Sequence, residues 1–230
     1  MTSNRRQLLH ENIREEIKAI AWKQIAQTGA SSLSLGSIAR EMVLTTPALY
    51  RYFSSRNDLV SALIQDAYRS FTAALEQARD SLPPEEHAGR LLALFSAYRQ
   101  WALSHPEPYS LLFGNPVPGY TLTAEAGQAG DHSFQVLLSV IQAADQAGKL
   151  SGTLQKITHT PALDAQLTAL ENSGETQSPQ VIHLALSAWS FIHGITSLEL
   201  NQQYQVILAD HTDEFAQIEI RRFMQAVGFE

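Results

Sequence analysis

The spacing of the apolar residues limits the possible folds most strongly, because it follows the repeat of an α-helix along the chain. Over residues 8–25 apolar side chains recur every three or four positions, which places them on one face of a helix. Runs of β-branched residues with the length of a strand are missing from the sequence. The sequence therefore predicts an all-α protein of about nine or ten helices. The apolar face of the first predicted helix consists of Leu8, Ile13, Ile17, Ile20, Ala21 and Ile25.

Candidate caps and turns place three helices in residues 1–55. The first is predicted over Arg5–Thr28. The second covers about Gly36–Met42 and follows Ser34, a candidate N-cap. The third covers about Thr46–Tyr52 and follows Thr45, again a residue type that caps helices well. Short helices joined by a tight turn are typical of a helix-turn-helix, which most often binds DNA.

The remaining sequence predicts a larger helical body. A fourth helix is expected to begin after Ser55, its N-cap, and to run to about Ser81 as an element shared by both parts. We therefore expect a helix-turn-helix head over 1–55, a connecting helix over 56–81 that is shared by both parts, and a larger helical body over 82–230. The later helices are predicted at Glu85–Ser104, Glu107–Phe113, Ala124–Lys149, Ala162–Leu170, Pro179–Gln202 and Thr212–Val227. The predicted breaks are His105-Pro106, Gly114–Tyr120, Gly148 with Ser151-Gly152, Asn172–Ser178 and Asp210-His211.

Composition and missing motifs argue against several classes of protein. The sequence has no cysteine, so disulfides, zinc–thiolate sites and thiol nucleophiles are excluded. It contains no GxSxG, Walker, GxGxxG or HExxH pattern, so we expect no catalytic residue, no metal and no cofactor. Charged residues interrupt every apolar run of the first 20 residues, which argues against a signal peptide. No stretch approaches the roughly 20 uninterrupted apolar residues of a membrane span. The expected location is the cytoplasm.

The charge of the chain is divided unevenly. The formal net charge is -7, yet residues 1–60 hold eight basic against five acidic side chains. This excess of +3 leaves a net of -10 for residues 61–230. A basic head on an acidic body indicates a local anionic partner for the head.

Helices two to four combine an apolar inner face with a polar outer face. Leu49, Phe53 and Leu59 fall where short crossed helices bury a shared core. Hydroxyl groups on the outer face suit base edges and phosphates, and Arg56 lies beside a helix N-terminus, which attracts anions. The candidate DNA-binding residues are Ser34, Ser37, Thr45, Thr46, Pro47, Ala48, Tyr50, Arg51, Tyr52 and Arg56.

The segment Leu33–Leu63 resembles the DNA-binding head of the tetracycline-repressor (TetR) family of bacterial transcriptional regulators. The resemblance implies that operator DNA is contacted through the third helix and that Arg56 takes the place of a lysine that binds a backbone phosphate. The residues that carry the resemblance are Ile38-Ala39, Thr45, Leu49-Tyr50, Tyr52-Phe53, Arg56 and Leu59. The DNA contacts that it implies are Thr45, Thr46, Tyr50 and Tyr52.

Two positions depart from the pattern of that family. Val43 stands in the turn where glycine is usual, so either the turn differs locally or valine is strained at a positive φ. Gly36 stands where a polar or basic residue is common, and Ser37 is a candidate to replace its DNA contact. Ahead of the first helix, Arg5 and Arg6 form either a flexible arm that reaches an adjacent groove or a solvated tail.

The body combines an aromatic cluster with two long apolar helices. The run AWSFIHGITSLEL resembles a Trp-His-Gly subclass of the family, through Trp189, His193 and Gly194. Few basic residues occur in the body, which favours a neutral or cationic hydrophobic effector over an anionic one. Candidate effector-binding residues are Phe95, Tyr98, Trp101, Tyr109, Phe113, Phe134, Trp189 and His193. Candidate homodimer contacts are Ile182, Leu186, Leu198, Phe215, Ile218 and Phe223.

These features predict a ligand-responsive transcriptional regulator, most simply a repressor that a small hydrophobic effector releases from its operator. The alternative is an all-α ligand-binding protein or enzyme that keeps a head-like segment without binding an operator. Salt-dependent DNA affinity separates the two, because phosphate contacts release counterions. Effector identity, operator sequence and half-site spacing, and the sign of regulation are left open.

Overall fold

The computed structural model describes residues 2–169 and 178–229, and these residues contain helices and no strand. The prediction of an all-α fold is confirmed. The helices are α1 (Thr2–Thr28), α2 (Leu35–Glu41), α3 (Thr46–Leu49), α4 (Arg56–Asp80), α5 (His87–Ser104), α6 (Pro106–Phe113), α7 (Ala124–Gln146), α8 (Ser151–Leu154), α9 (Pro161–Thr168), α10 (Pro179–Leu200), α11 (Gln205–Leu208) and α12 (Thr212–Ala226).

The chain divides into two compact units. The first, called the head unit, consists of Met1–Arg69 with His105–Ala129, and the second, called the body unit, of Ser70–Ser104 with Gly130–Glu230. Helices α4 and α7 each contribute residues to both units. Residues 105–129, which the sequence assigned to the body, thus group with the DNA-binding head.

The core of the head unit forms where α1 to α4 bring their apolar faces together. Ile17, Leu49, Phe53 and Leu59 are each fully buried, as the helical spacing predicts. The apolar face of α1 is shorter than expected, because Leu8 is 60% exposed. Full burial of a large apolar side chain contributes about 1.5–3 kcal/mol, so this cluster supplies much of the stability of the head.

Helix α1 extends further towards the N-terminus than the sequence indicated. It begins at Thr2, so Arg5 and Arg6 lie on the helix with exposed side chains. Both alternatives, a flexible arm and a solvated tail, placed these arginines ahead of the first helix, and that placement is wrong: both lie on the solvent-exposed surface of α1.

Side-chain caps fix the start of several helices. The Ser34 hydroxyl accepts from the Ser37 N–H at the start of α2, at 3.4 Å. Ser55 caps α4 by accepting from the Asp58 N–H at 3.0 Å, while the Asp58 carboxylate accepts from the Ser54 N–H at 2.8 Å. Such caps satisfy N–H groups that have no partner inside the helix, which confirms the caps predicted for α2 and α4.

The short helices α8 and α11 were not predicted. Gly148 with Ser151-Gly152 was expected to be a break, but the break covers residues 147–150, with Gly148 at a φ of 72°, and Ser151 begins α8. Helix α3 ends at Leu49 rather than Tyr52. The predicted loop Asn172–Ser178 lies outside the described residues, except for Ser178, which caps α10.

In the body unit, α5, α10 and α12 pack through aromatic rings and an ion pair. Phe191 and Phe223 stack with ring centroids 4.3 Å apart, and Phe95 lies 5.9 Å from Phe223. The guanidinium of Arg99 donates from Nε and Nη2 to the two carboxylate oxygens of Glu199, both at 2.6 Å. These contacts join α5, α10 and α12 to one another within the unit.

Helix α10 is the one helix of the described chain that is long and apolar enough to cross a membrane by length and composition. The sequence analysis did not single it out. The core helix of a globular unit passes the same test, and Val181, Leu184, Ala188 and Ile192 of α10 are buried within the body unit. We therefore interpret α10 as a core helix.

Candidate nucleic-acid interface

The turn between α2 and α3 ends α2 with a Schellman motif. The Leu44 N–H donates to the Ala39 carbonyl oxygen at 2.8 Å, and the Val43 N–H donates to the Arg40 carbonyl oxygen at 3.2 Å. This pattern places a left-handed residue directly after the C-cap. Val43 takes that conformation, with a φ of 56°. Of the two alternatives, the strained valine is therefore the one found.

We expect Val43→Gly to raise the free energy of unfolding by about 1 kcal/mol, because a left-handed β-branched residue costs more than the backbone entropy of glycine. The Val43 side chain is 92% exposed, so its removal costs no packing. The melting temperature of the full chain measures the change. Val43→Ala is the control: it keeps a Cβ and should gain less. A lower melting temperature for Val43→Gly would contradict the strain.

Helix α3 has one buried residue, Leu49, and a solvent-exposed face that includes polar side chains. The Thr45 hydroxyl accepts from the Ala48 N–H at 3.3 Å and caps the helix, as predicted. Leu49 is fully buried in the head core, while Tyr50, the next residue, is half exposed. The predicted DNA-binding residues that lie exposed are Ser34, Thr45, Thr46, Pro47, Tyr50 and Arg51. Those that are partly buried are Ser37, Ala48, Tyr52 and Arg56.

Contacts with α1 hold the end of this segment in place. The Tyr52 ring lies 4.8 Å from the His10 ring, and the Tyr52 carbonyl oxygen accepts a hydrogen bond from Arg14. The Arg14 guanidinium also lies 4.1 Å from the centre of the Phe53 ring, at the distance of a cation–π contact. The sequence analysis did not identify this role of Arg14.

Arg56 is bound to main-chain carbonyls of the head unit. Its Nη2 donates to the carbonyl oxygens of Ala30 at 2.8 Å and Ser31 at 3.1 Å, and its Nε donates to that of Leu33 at 3.0 Å. Its Nη1 donates to the Pro118 carbonyl oxygen at 3.3 Å. The resemblance implied a phosphate contact, but most donors of this guanidinium are directed at its own chain. No pattern in the sequence could have indicated partners so far apart.

Two family models match the chain, one in each part. Residues 17–63 match the model for bacterial regulatory proteins of the tetR family, and residues 91–223 match the model for the tetracyclin repressor-like C-terminal domain. The chain belongs to the TetR family of bacterial transcriptional regulators. Both the helix-turn-helix and the resemblance noted for Leu33–Leu63 are thereby confirmed.

Individual relatives agree with this assignment. The HTH-type transcriptional regulator Rv1816 of Mycobacterium tuberculosis is 30% identical over 201 residues, which cover 84% of this chain and 83% of the relative. The crystal structure of the regulatory protein SCO4313 has a TM-score of 0.79 and 34% identity, and the match covers 95% of this chain and 98% of that one. The TetR family regulator PfmR from Thermus thermophilus, at 14% identity and a TM-score of 0.59, shares the fold, with 91% and 97% covered.

The candidate effector-binding residues of this TetR-family chain divide between the two units. Tyr109 and Phe113 belong to the head unit, where their rings lie 5.1 Å apart. The body unit holds the other six. Among these, Tyr98 and Trp101 pack on Phe71, at 5.1 and 4.9 Å between ring centroids. Phe71 was missed because its spacing on α4 is that of an ordinary core residue. The six residues in the body unit are Phe95, Tyr98, Trp101, Phe134, Trp189 and His193.

His193 is held between two hydroxyl groups in the body unit. Its Nδ1 lies 3.0 Å from the Tyr98 hydroxyl and its Nε2 lies 3.4 Å from the Ser197 hydroxyl. Burial lowers the pKa of His193 below its ordinary value, which favours the neutral ring. The Trp189 ring lies 5.6 Å from this imidazole. The geometry is that of a hydrogen-bonded, neutral histidine beside an aromatic wall.

The candidate dimer contacts differ strongly in exposure. Leu198 is 44% and Ile218 is 46% exposed, whereas Ile182 is only 2% exposed and has almost no surface for a second subunit. Phe223 packs on Phe95 and Phe191 inside its own unit, so its main contacts are within the chain. Leu186 and Phe215 are partly buried. Two strongly exposed apolar residues of α11 were missed, namely Val206 and Ile207.

Proposed function

We propose that this TetR-family regulator is a repressor that binds operator DNA through α3 and leaves it when a small hydrophobic effector binds the body. The observation that carries the DNA contact is the division of side chains on α3 and the two residues that follow it. Thr46, Tyr50 and Arg51 are exposed beside Leu49, which is fully buried. Burial of Leu49 thus fixes the position of the α3 backbone, while the exposed polar and cationic groups remain available to base edges and phosphates. The regulator acts in the cytoplasm, where its operator lies.

The proposed DNA contacts are the exposed members of the predicted set, with the partly buried Ser37, Ala48 and Tyr52 at their border. Two copies are expected to bind paired half-sites about one helical turn apart, because one small head makes few contacts. Leu198 and Ile218, each nearly half exposed, are the apolar surface that we assign to the homodimer. A Cβ built on Gly194 meets no atom within 4 Å, which leaves room there for a partner helix.

Trp189, His193 and Gly194 support the proposal that the body is of the Trp-His-Gly type. The neutral imidazole of His193 and the Tyr98 hydroxyl are polar groups set among aromatic rings, an arrangement suited to a hydrophobic effector with one polar group. The effector changes operator affinity only through its different affinity for the two states of the protein. A coupling of about 1–3 kcal/mol is ordinary for such regulation.

Fluorescence anisotropy with promoter DNA from beside its own gene tests the DNA contact. We expect Arg51→Ala to weaken binding and to lower the slope of log affinity against log salt by about one, since one phosphate contact is lost. Arg222→Ala is the matched control, since it removes an exposed arginine from the body unit, where the Arg222 side chain is 71% exposed. Equal affinities for both variants would contradict the contact. No saturable binding by the unchanged protein would favour a ligand-binding protein without an operator.

A further inference from the structure

The loop between α6 and α7, residues 114–123, is bound to the first turns of α4 within the head unit. The Asn57 Nδ2 donates to the Gly119 carbonyl oxygen at 2.9 Å. One turn later, the Ser61 hydroxyl donates to the Tyr120 hydroxyl at 3.2 Å. With Arg56, these side chains form what we call the α4 anchor (Arg56, Asn57 and Ser61). The loop is therefore attached to the same helix that follows the helix-turn-helix.

One guanidinium joins this loop to the start of α2. The Nη1 of Arg56 donates to Pro118 in the loop, while its Nε and Nη2 donate to Leu33, Ala30 and Ser31 in the α1–α2 connection. Arginine suits this task because its five N–H donors are fixed in one plane and point in several directions. Lysine, with one nitrogen, cannot reach all of these carbonyls at once.

Apolar contacts support the same attachment. Leu111 of α6, Val117 of the loop and Ala126 of α7 are buried in one cluster with Leu49 and Phe53 of the helix-turn-helix. The exposed fractions of Leu111, Val117 and Ala126 are 8%, 7% and 0%. A shift of the loop therefore exposes apolar surface of the head core as well as breaking the hydrogen bonds of the α4 anchor.

We propose that loop 114–123 is a working part of the DNA-binding unit, and that Arg56 is the positioning residue that carries the placement of this loop to α2. On this proposal Arg56 does not bind a phosphate. It stands where the family pattern has a phosphate-binding lysine, but here it positions the loop. The docked loop holds the α1–α2 connection where α3 fits the operator. A displaced loop releases it and lowers operator affinity. The affinity part rests on the proposed function.

The side of the loop that faces α4 is less closely packed than the side that carries Val117. An open cleft of about 330 Å³ lies between it and α4. Each residue that lines the cleft carries a hydroxyl, amide or carboxylate group, so a change in its width separates fewer apolar contacts than the opening of a closely packed apolar interface does. Lining residues include Asn57, Ser61 and Gln65 of α4 and Tyr120, Thr121 and Thr123 of the loop segment.

The first experiment removes the contact with the loop alone. In Asn57→Ala, we expect faster hydrogen exchange of the amides in 114–123 and about tenfold weaker operator binding, the effect of about one lost hydrogen bond. The salt slope should stay unchanged, because no phosphate contact is lost. Asn115→Ala is the matched control, because Asn115 is an exposed asparagine of the same loop. Unchanged exchange and affinity in Asn57→Ala would overturn the proposal.

The second experiment separates positioning by Arg56 from phosphate binding. Both Arg56→Lys and Arg56→Gln are expected to speed exchange in 114–123 and to weaken operator binding with an unchanged salt slope. If Arg56→Lys keeps full affinity while Arg56→Gln lowers the slope by about one, Arg56 is a phosphate ligand and the proposal fails. Hydrogen exchange is measured on the protein without DNA, so it tests the anchor independently of operator binding. A protein that binds no operator but shows the exchange changes would contradict the proposed function while supporting the anchor.

Discussion

Phe53→Ala is expected to lower the free energy of unfolding by about 3–5 kcal/mol and to abolish operator binding. Phe53 is fully buried, with Leu49 and Leu59 in the same core. The substitution removes a ring from a closely packed cluster and leaves a cavity, and it also removes the surface on which Arg14 lies. A loss of this size exceeds a third of the stability of many domains. Urea denaturation followed by circular dichroism measures it.

Tyr50→Ala is the matched control for Phe53→Ala. It removes an aromatic ring from the same segment, but the Tyr50 ring is half exposed. We expect a change in unfolding free energy within about 0.5 kcal/mol, as for other surface substitutions, together with weaker DNA binding. Comparable losses of stability in the two variants would contradict the placement of Phe53 in the core.

Arg99→Met is expected to destabilise the body unit by about 3–5 kcal/mol, because it leaves the carboxylate of Glu199 buried without its partner. The side chains of Arg99 and Glu199 are 11% and 14% exposed, and the pair is bidentate with both distances 2.6 Å. The hydrogen bond with Glu199 raises the pKa of Arg99 above its ordinary value, so the guanidinium stays charged. Urea denaturation of the full chain measures the loss.

Two further variants test whether burial, rather than ion pairing in general, determines this effect. Asp213 also accepts from Arg99, at 2.6 Å, but its side chain is 64% exposed. Asp213→Asn should therefore cost no more than about 1 kcal/mol. The double variant Arg99→Met with Glu199→Met should recover most of the stability, since both buried charges are removed together. A double variant as unstable as Arg99→Met alone would contradict this explanation.

The helices and the core residues of the head could be predicted from the sequence, because they depend on interactions between residues that are close together in the chain. The caps Ser34 and Thr45 and the apolar Leu49 and Phe53 each depend on neighbours only a few residues away, so their spacing predicts their roles. The structure confirms these roles. The strained conformation of Val43 could be anticipated as one alternative for the same reason, because it depends only on how α2 ends. Several helix ends were predicted incorrectly, and the four-residue helices α8 and α11 were not predicted. Both depend on the surrounding structure as much as on their own sequence.

The roles of the apolar residues in the body were harder to predict, because the same residue types form the core, a ligand pocket and a dimer interface. The sequence placed Phe223 and Leu198 together at a dimer surface, yet Phe223 packs on rings of its own unit and Leu198 is 44% exposed. Helical spacing tells which face is apolar, and it does not tell what covers that face. Similarly, Tyr109 was grouped with Tyr98 as an effector contact, but the two belong to different units.

The sequence by itself determined the all-α class, the helix-turn-helix and the family, because periodicity, capping and the motif over Leu33–Leu63 are local patterns. Only the tertiary structure decided the partners of Arg56 and the attachment of residues 105–129 to the head. The hydrogen bonds of Arg56 join positions between 23 residues apart, at Leu33, and 62 residues apart, at Pro118. A guanidinium binds a phosphate or a carbonyl oxygen with the same donors. Its role therefore depends on which acceptor the fold brings within reach.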